Sequence, residues 1–123
     1  MPKPETAAEG RALAFREMTE ATLQERVIEL AHLFGWLVMH TRPARTETGW
    51  RTPLQGDPGF PDLVLAREGV VLLAELKAAA GKLTAEQERW RTELETDACA
   101  STPQYHLWRP EDLESGVIEE ELE

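Results

Sequence analysis

Two short apolar segments joined by a tight-turn signal most constrain how this chain of 123 residues can fold. Residues 61–67 read PDLVLAR, residues 70–77 read VVLLAELK, and Glu68-Gly69 separates them. Apolar runs of this length with two residues ending in glycine between them predict a β-hairpin with a two-residue loop. Hydrophobic residues occur at both sets of alternating positions, which predicts central strands covered on both faces.

The register of this hairpin brings charged groups together. If Arg67 pairs with Val70, Asp62 lies directly opposite Glu75, with Cβ atoms about 4.5–5.5 Å apart. Because side chains alternate along a strand, Lys77 points to the same face as Glu75. Two carboxylates this close repel each other unless a cation lies between them, and their hard oxygens suit Mg²⁺ or Mn²⁺. A buried ion pair between these acids and the lysine is the structural alternative.

Patterns on either side of the hairpin predict the remaining elements. Apolar residues repeat at helical spacing from Leu23 to Phe34, with Thr19 or Thr22 as the cap and Gly35 at the end. The sequence then predicts a strand at 36–42, a long loop at 43–60, a helix at 84–96, a strand at 104–109 and a helical turn at 110–116. We expect three regions: a flexible N-terminal arm at 1–18, one domain at 19–116 and an acidic tail at 117–123.

The charge is distributed unevenly along the chain. The formal net charge of −10 argues against nucleic-acid binding if it is spread over the whole surface. Residues 92–123, however, carry ten acidic and one basic side chain, whereas residues 42–91 carry eight basic and seven acidic ones. The central segment is therefore compatible with a DNA partner.

The single cysteine and the hydropathy exclude several classes. Cys99 cannot form an internal disulfide or complete a cysteine-rich zinc site. The sequence shows no secretory signal pattern and no apolar run near the ~20 residues of a membrane helix. We therefore expect a cytoplasmic protein without a membrane partner.

Four short motifs, in order, resemble the VRR-NUC family of the PD-(D/E)xK nucleases, which is related to Holliday-junction resolvases. They are Gly59-Phe60-Pro61-Asp62, Glu75-Leu76-Lys77, Gly81-Lys82-Leu83-Thr84 and Gln87. A lone acidic motif recurs by chance, but all four in order, with matching elements between them, are specific. The likeness extends from about Thr19 to Leu113. It implies an α/β fold with a restriction-endonuclease-like αβββαβ core, a central mixed sheet flanked by helices.

The resemblance also implies an activity. It indicates a Mg²⁺-dependent deoxyribonuclease, with Mn²⁺ able to substitute, that acts on branched or structured DNA such as junctions and flaps. Asp62 and Glu75 would bind the metal with the Leu76 carbonyl as a further ligand, and Lys77 would position or deprotonate the attacking water. These roles agree with metal-assisted hydrolysis, in which a nearby cation neutralises charge in the transition state.

Two helical positions leave alternatives open. Many nucleases of this kind add an acid from the first helix, and here Glu20, Gln24 and Glu25 are candidates. Glu20 and Gln24 flank the apolar face, whereas Glu25 points away and fits a capping box with Thr22, so we favour Glu20. Gln87 fits a capping box with Thr84, yet it also lies on the inward face of its helix, and the family match favours an active-site role.

Basic and aromatic residues near the long loop are candidate DNA contacts, with solvated surface charge as the alternative. His40 is more often a satisfied strand residue than a catalyst, and Trp50 could stack on a base or anchor the loop. We expect a homodimer, because a single domain of this size must often pair to span a duplex. The predicted DNA-binding residues are Arg42, Arg45, Arg51 and Lys82.

Two other functions remain possible for the same fold. One is a non-catalytic DNA-binding or assembly module, and the other is an inhibitor or partner protein that docks through its acidic tail. The intact set of Asp62, Glu75 and Lys77 favours the nuclease, because no structural role requires all three.

Overall fold

A computed structural model describes residues 6–40, 44–46, 49–51, 56–97, 99 and 103–123, with residues 44–46 and 49–51 described in their backbone alone. The elements in chain order are α1 (Ala7–Glu17), α2 (Glu20–Leu33), β1 (Leu37–His40), β2 (Ala44–Thr46), β3 (Gly49–Arg51), β4 (Leu63–Arg67), β5 (Val70–Leu76), α3 (Ala85–Glu95), β6 (Gln104–Trp108), α4 (Pro110–Glu114) and α5 (Val117–Leu122). Within these ranges, no helix is both long and apolar enough to cross a membrane.

Four of the strands form one mixed sheet in the order β1-β4-β5-β6. β4 pairs antiparallel with both β1 and β5. Because the sheet is mixed, its remaining pair of neighbours, β5 and β6, is parallel. β2 and β3 pair with each other in a separate antiparallel hairpin, inside the segment predicted as a loop. The predicted α/β fold, a mixed sheet flanked by helices with an αβββαβ core that begins at α2, is confirmed.

The β4–β5 hairpin has the predicted register. Arg67 pairs with Val70, and the ladder continues to Leu63 opposite Ala74. Glu68 and Gly69 have φ angles of 48° and 84°, and both central residues of a type I′ turn require a positive φ. The turn therefore sets the register that brings the two ends of the hairpin together.

The two faces of this hairpin are covered to different extents. One face is fully buried and consists of Leu63, Leu65, Leu72 and Ala74. On the other face Leu73 and Glu75 are buried, whereas Val64, Ala66 and Val71 are half-buried. The central position of both strands is confirmed, but only one of their faces is fully covered.

The start of α2 decides between the two predicted caps. The Thr19 hydroxyl accepts a hydrogen bond of 3.1 Å from the backbone N–H of Thr22, and the helix begins at Glu20. Thr22 thus lies inside the first turn, so the predicted capping box with Glu25 does not form. Gly35 follows the helix with a φ of 83°, the left-handed conformation expected at its end.

The chain packs as two compact units. The first comprises the described parts of Met1–Trp36, Leu76–Lys82 and Leu107–Glu123, and the second those of Leu37–Glu75 and Leu83–His106. In the first unit α1 contacts α4, and α5 contacts both α2 and α4. The second unit contains β1, the β2–β3 hairpin, β4, most of β5 and α3.

The predicted arm and the predicted tail each contain a helix, α1 and α5. In the predicted arm, Thr6 caps α1 by accepting a hydrogen bond of 3.0 Å from the Glu9 N–H. In the predicted tail, α5 buries Ile118 and Leu122 completely, and the Trp36 indole donates to the Leu122 carbonyl at 2.8 Å. Ile118 and Leu122 are four residues apart and therefore lie on one face of the helix. In the sequence, the acidic residues around them obscure this apolar pair.

Candidate active site

Glu75 is the one charged side chain that the described part of the chain buries almost completely, at 1 % exposure. It lies near the end of β5, and the side-chain amide of Gln87 in α3 donates to its Oε1 at 3.1 Å. A buried carboxylate is strongly unfavourable unless it accepts hydrogen bonds or binds a cation. The contact with Gln87 supplies one such bond from the same unit.

Gln87 also completes the capping box of α3. Its Oε1 accepts from the Thr84 N–H at 2.9 Å, and the Thr84 hydroxyl accepts from the Gln87 N–H at 3.2 Å. Because a backbone N–H only donates and a carboxylate only accepts, the two partners fix the orientation of the amide. The two interpretations of Gln87 are therefore compatible: one end of the amide caps the helix and the other contacts Glu75.

Asp62 lies one residue before β4, next to the pair of Leu63 and Ala74. The described ladder ends at this pair, and Asp62 and Glu75 are the next residues beyond it on the two chain segments. His40 in β1 pairs with Leu63 in β4. The His40 Nδ1 lies 3.4 Å from the backbone carbonyl oxygen of Asp62. The histidine is thus a half-buried strand residue in contact with the Asp62 backbone.

The segment before Asp62 is held tightly against α3. A Cβ atom on Gly59, whose φ is 97°, would lie 2.5 Å from the backbone carbonyl carbon of Glu86. The Trp90 indole donates to the Pro58 carbonyl at 3.0 Å. The rings of Trp90 and Phe60 pack edge to face, with centroids 5.0 Å apart. The glycine of this motif is required because backbone and helix approach each other closely.

Lys77 and Glu20 meet in the other unit. The Lys77 Nζ lies 3.9 Å from the Glu20 Oε1, and the lysine side chain is only 12 % exposed. Gln24 is half-buried and Glu25 is exposed. Of the three candidates in α2, the structure places Glu20 at ion-pair distance from Lys77, and Leu76 connects this lysine to Glu75 along the chain.

Arg109 belongs to no sequence motif, yet it binds several backbone carbonyls. Its Nη1 donates to the carbonyl oxygens of Ala78 at 2.8 Å and Gly81 at 2.7 Å, and lies 3.4 Å from that of Ala79. These bonds hold the turn that directly follows Lys77. A single arginine between a strand and Pro110 carries no local sequence signal, because its partners lie about thirty residues earlier.

Tyr105 in β6 likewise belongs to no sequence motif. Its hydroxyl is buried and has no hydrogen-bond partner in the ranges that the structure describes. Burial, and next the negative charge of Glu75, raise the pKa of Tyr105 to about 12. The Arg91 guanidinium lies over the tyrosine ring, 5.8 Å from its centroid. The sequence pattern of this segment predicts a strand and carries no signal for a role of Tyr105.

The donors available for a metal are few. Among the described residues, no group of three or more His, Cys, Asp or Glu side chains is placed to hold a metal ion. The predicted donors, the carboxylates of Asp62 and Glu75 and the backbone carbonyl of Leu76, stay a prediction.

The predicted DNA contacts are described only in part. Lys82 is exposed, after the turn that Arg109 holds. Arg42 lies outside the described residues. Arg45, Trp50 and Arg51 lie in the β2–β3 hairpin, of which only the backbone is described.

Comparisons with known proteins point to one fold. No family model matches the sequence, and no curated protein does. A solved structure described as a VRR_NUC domain is similar to this chain, with a TM-score of 0.58 and 17 % sequence identity. The similarity covers 81 % of this chain and 96 % of that one. The chain therefore has the fold of a VRR_NUC domain, the family that its sequence motifs resemble.

Proposed function

We propose that this protein is a metal-dependent nuclease that hydrolyses phosphodiester bonds in branched or otherwise structured DNA. The observation that carries the proposal is the contact between Gln87 and the buried Glu75, at the end of a hairpin in which Asp62 directly precedes the other strand. This arrangement orients a carboxylate that no packing role requires. The VRR_NUC fold and the four motifs in order support the same conclusion.

The donor chemistry fits a divalent metal. Asp62 and Glu75 would hold it through carboxylate oxygens, with the backbone carbonyl of Leu76 as a further ligand. Mg²⁺ is commonly held by one or two carboxylates, while water and substrate phosphate complete its coordination. Two carboxylates are therefore sufficient, and Mn²⁺ accepts the same ligands. When bound, the ion supplies Lewis acidity toward the phosphate and lowers the pKa of water.

The other side chains position the reacting groups. Gln87 orients Glu75 through the hydrogen bond to Oε1. The ammonium of Lys77 orients the attacking water and neutralises negative charge that develops on the phosphate. Glu20 holds this ammonium in place, since the two side chains form an ion pair.

DNA binding is assigned to basic residues outside this set. Lys82 lies after the turn that Arg109 holds, and Arg42, Arg45 and Arg51 belong to the segment between β1 and β4. We further propose that the protein acts as a homodimer, which would present two sites to a branched substrate.

A cleavage panel tests the proposal. Branched, flapped, single-stranded and linear duplex DNA are incubated with Mg²⁺, with Mn²⁺ or with a chelator. We expect cleavage only with metal, fastest on a branched or flapped substrate. Asp62→Asn and Glu75→Gln should each reduce the rate by about 100-fold or more, because each removes a metal ligand.

A matched variant controls for the loss of one negative charge. Glu119→Gln changes an exposed acid in α5 and should cleave like the wild type. Wild-type rates in both Asp62→Asn and Glu75→Gln would refute the proposed nuclease. DNA binding without cleavage, unaffected by Lys77→Ala, would identify a non-catalytic DNA-binding module instead.

A further inference from the structure

The buried hydroxyl of Tyr105 belongs to none of the groups proposed to bind metal, water or DNA. The hydroxyl oxygen is closed off from solvent, and no donor or acceptor in the described ranges reaches it. Buried hydroxyls in folded proteins nearly always have a hydrogen-bond partner, and an exception calls for an explanation. Such a group is unfavourable for folding, because it loses its hydrogen bonds to water without replacement.

The surroundings of Tyr105 indicate Glu75 as the acceptor for its hydroxyl. Arg91 lies over the face of the ring, and its guanidinium donates to Glu95 at 2.8 Å. Glu75 and Tyr105 lie on the neighbouring strands β5 and β6, and α3 contacts both, Glu75 through Gln87 and Tyr105 through Arg91 one helical turn later. Glu75 is buried, whereas Glu88 and Glu95 are exposed and can be hydrated.

We propose that Tyr105 is a positioning residue for Glu75. Its hydroxyl donates a hydrogen bond to the carboxylate when Glu75 takes up its metal-binding orientation. Gln87 already donates to Oε1, and a carboxylate can accept several hydrogen bonds at once. With donors from both α3 and β6, the carboxylate is held in one orientation toward the ion. The inference rests on the proposed function, since it concerns how Glu75 binds metal.

A purely structural tyrosine predicts a different result from a positioning one. If the ring only fills space, Tyr105→Phe removes an unpaired polar atom and leaves the metal affinity unchanged. If the hydroxyl orients Glu75, the same change weakens metal binding. Hydrogen-bond partners of metal ligands typically contribute 10- to 100-fold to affinity. In both cases the stability of the fold without metal should be equal or higher in the variant.

The test measures Mn²⁺ binding to the intact chain by titration calorimetry, together with thermal unfolding with and without Mn²⁺. We expect Tyr105→Phe to raise the Mn²⁺ dissociation constant by about 10-fold or more. Without metal, its midpoint of unfolding should equal or exceed that of the wild type. Glu75→Gln defines the binding that belongs to this site, as distinct from binding to other acidic residues. Ser115→Ala removes an exposed hydroxyl at the end of α4 and should leave Mn²⁺ affinity unchanged.

Each other outcome overturns the inference. Equal Mn²⁺ affinity in the wild type and Tyr105→Phe would show that the hydroxyl does not orient Glu75, while the proposed nuclease would stand. A Tyr105→Phe chain that fails to fold would show that the hydroxyl supports the fold instead. A wild type that binds no Mn²⁺ through Glu75 would overturn the metal-dependent function and this inference together.

Discussion

At the scale of single residues, the side-chain amide of Gln87 explains why its role could not be decided from the sequence. The pattern Thr84 to Gln87 predicts a helix cap, and the inward position of Gln87 predicts a site contact. The amide forms both a capping bond and a bond to Glu75, because it carries an acceptor at one end and donors at the other. The acceptor binds the Thr84 N–H and the donor binds Glu75.

Two variants separate these roles of Gln87. Thr84→Ala removes the capping hydroxyl and should lower the free energy of unfolding by about 1 kcal/mol. Gln87→Ala removes its part of the cap and also the donor to buried Glu75, which costs about a further 1–3 kcal/mol. Chemical denaturation measures both effects. We expect metal-dependent cleavage to fall about 10-fold or more only in Gln87→Ala, because a misoriented ligand holds the metal less well. Equal rates in the two variants would leave Gln87 with a capping role alone.

At the scale of elements, the segment from Pro58 to Phe60 positions Asp62 by packing against α3. Gly59 and Gly69 both have a positive φ, but a Cβ would be crowded only at Gly59. Gly69→Ala should cost about 1–2 kcal/mol, because alanine disfavours this backbone conformation. Gly59→Ala carries the same penalty and must also displace the Glu86 backbone, so it should cost more and slow cleavage. Denaturation and cleavage assays on both variants check this, and similar costs would contradict the close packing.

The turn after β5 depends on the hydrogen bonds that Arg109 donates to its carbonyls. Arg109→Met should lower stability by about 2 kcal/mol or more, because charged hydrogen bonds to the Ala78 and Gly81 carbonyls are lost. Arg109→Lys keeps the charge but has no planar group to span both carbonyls, so it should recover only part of the loss. Amide hydrogen exchange at Gly81, whose N–H bonds to the Ala78 carbonyl at 3.0 Å, should become faster in both. Unchanged exchange would mean that the turn holds without Arg109.

At the scale of the whole molecule, α5 is part of the packed structure of its unit. Leu122→Ala should cost about 2–5 kcal/mol, because Leu122 is fully buried and its removal leaves a cavity. Glu120→Ala, an exposed change in the same helix, should cost less than about 0.5 kcal/mol. Denaturation followed by tryptophan fluorescence measures both, since the Trp36 indole bonds to the Leu122 carbonyl. Equal stability of the two variants would contradict the packing of α5.

Most of the core could be predicted from the sequence because its signals are local. The turn at Glu68-Gly69 and the apolar runs beside it specify the β4–β5 register, and Thr19 and Gly35 mark the ends of α2. The order of caps, turns and apolar runs thus specifies the αβββαβ core. The helix α5 could not be predicted, because its only buried apolar residues, Ile118 and Leu122, lie within an acidic segment. The β2–β3 hairpin was overlooked because three-residue strands are too short to show periodicity.

The site could be predicted only where its residues carry motifs. Asp62, Glu75, Lys77 and Gln87 belong to short patterns with strands or helices between them, and of these the structure brings Gln87 and Glu75 into contact. Arg109 and Tyr105 carry no such motif, and the carbonyls that Arg109 binds lie about thirty positions earlier in the chain. Contacts over such distances depend on how strands are ordered in the sheet, and periodicity along one segment contains no such information.

The capping role of Gln87 ties the chemistry of Glu75 to the first turn of α3. Helix ends open more readily than the rest of a fold, and such local opening costs much less free energy than complete unfolding. When this turn opens, the Thr84 bonds and the amide donor to Glu75 are lost in the same event. On warming, the protein would therefore pass through a stage in which the sheet is intact and Glu75 has lost that donor. The upper temperature limit of activity would then reflect the stability of one helical turn rather than the melting of the whole chain.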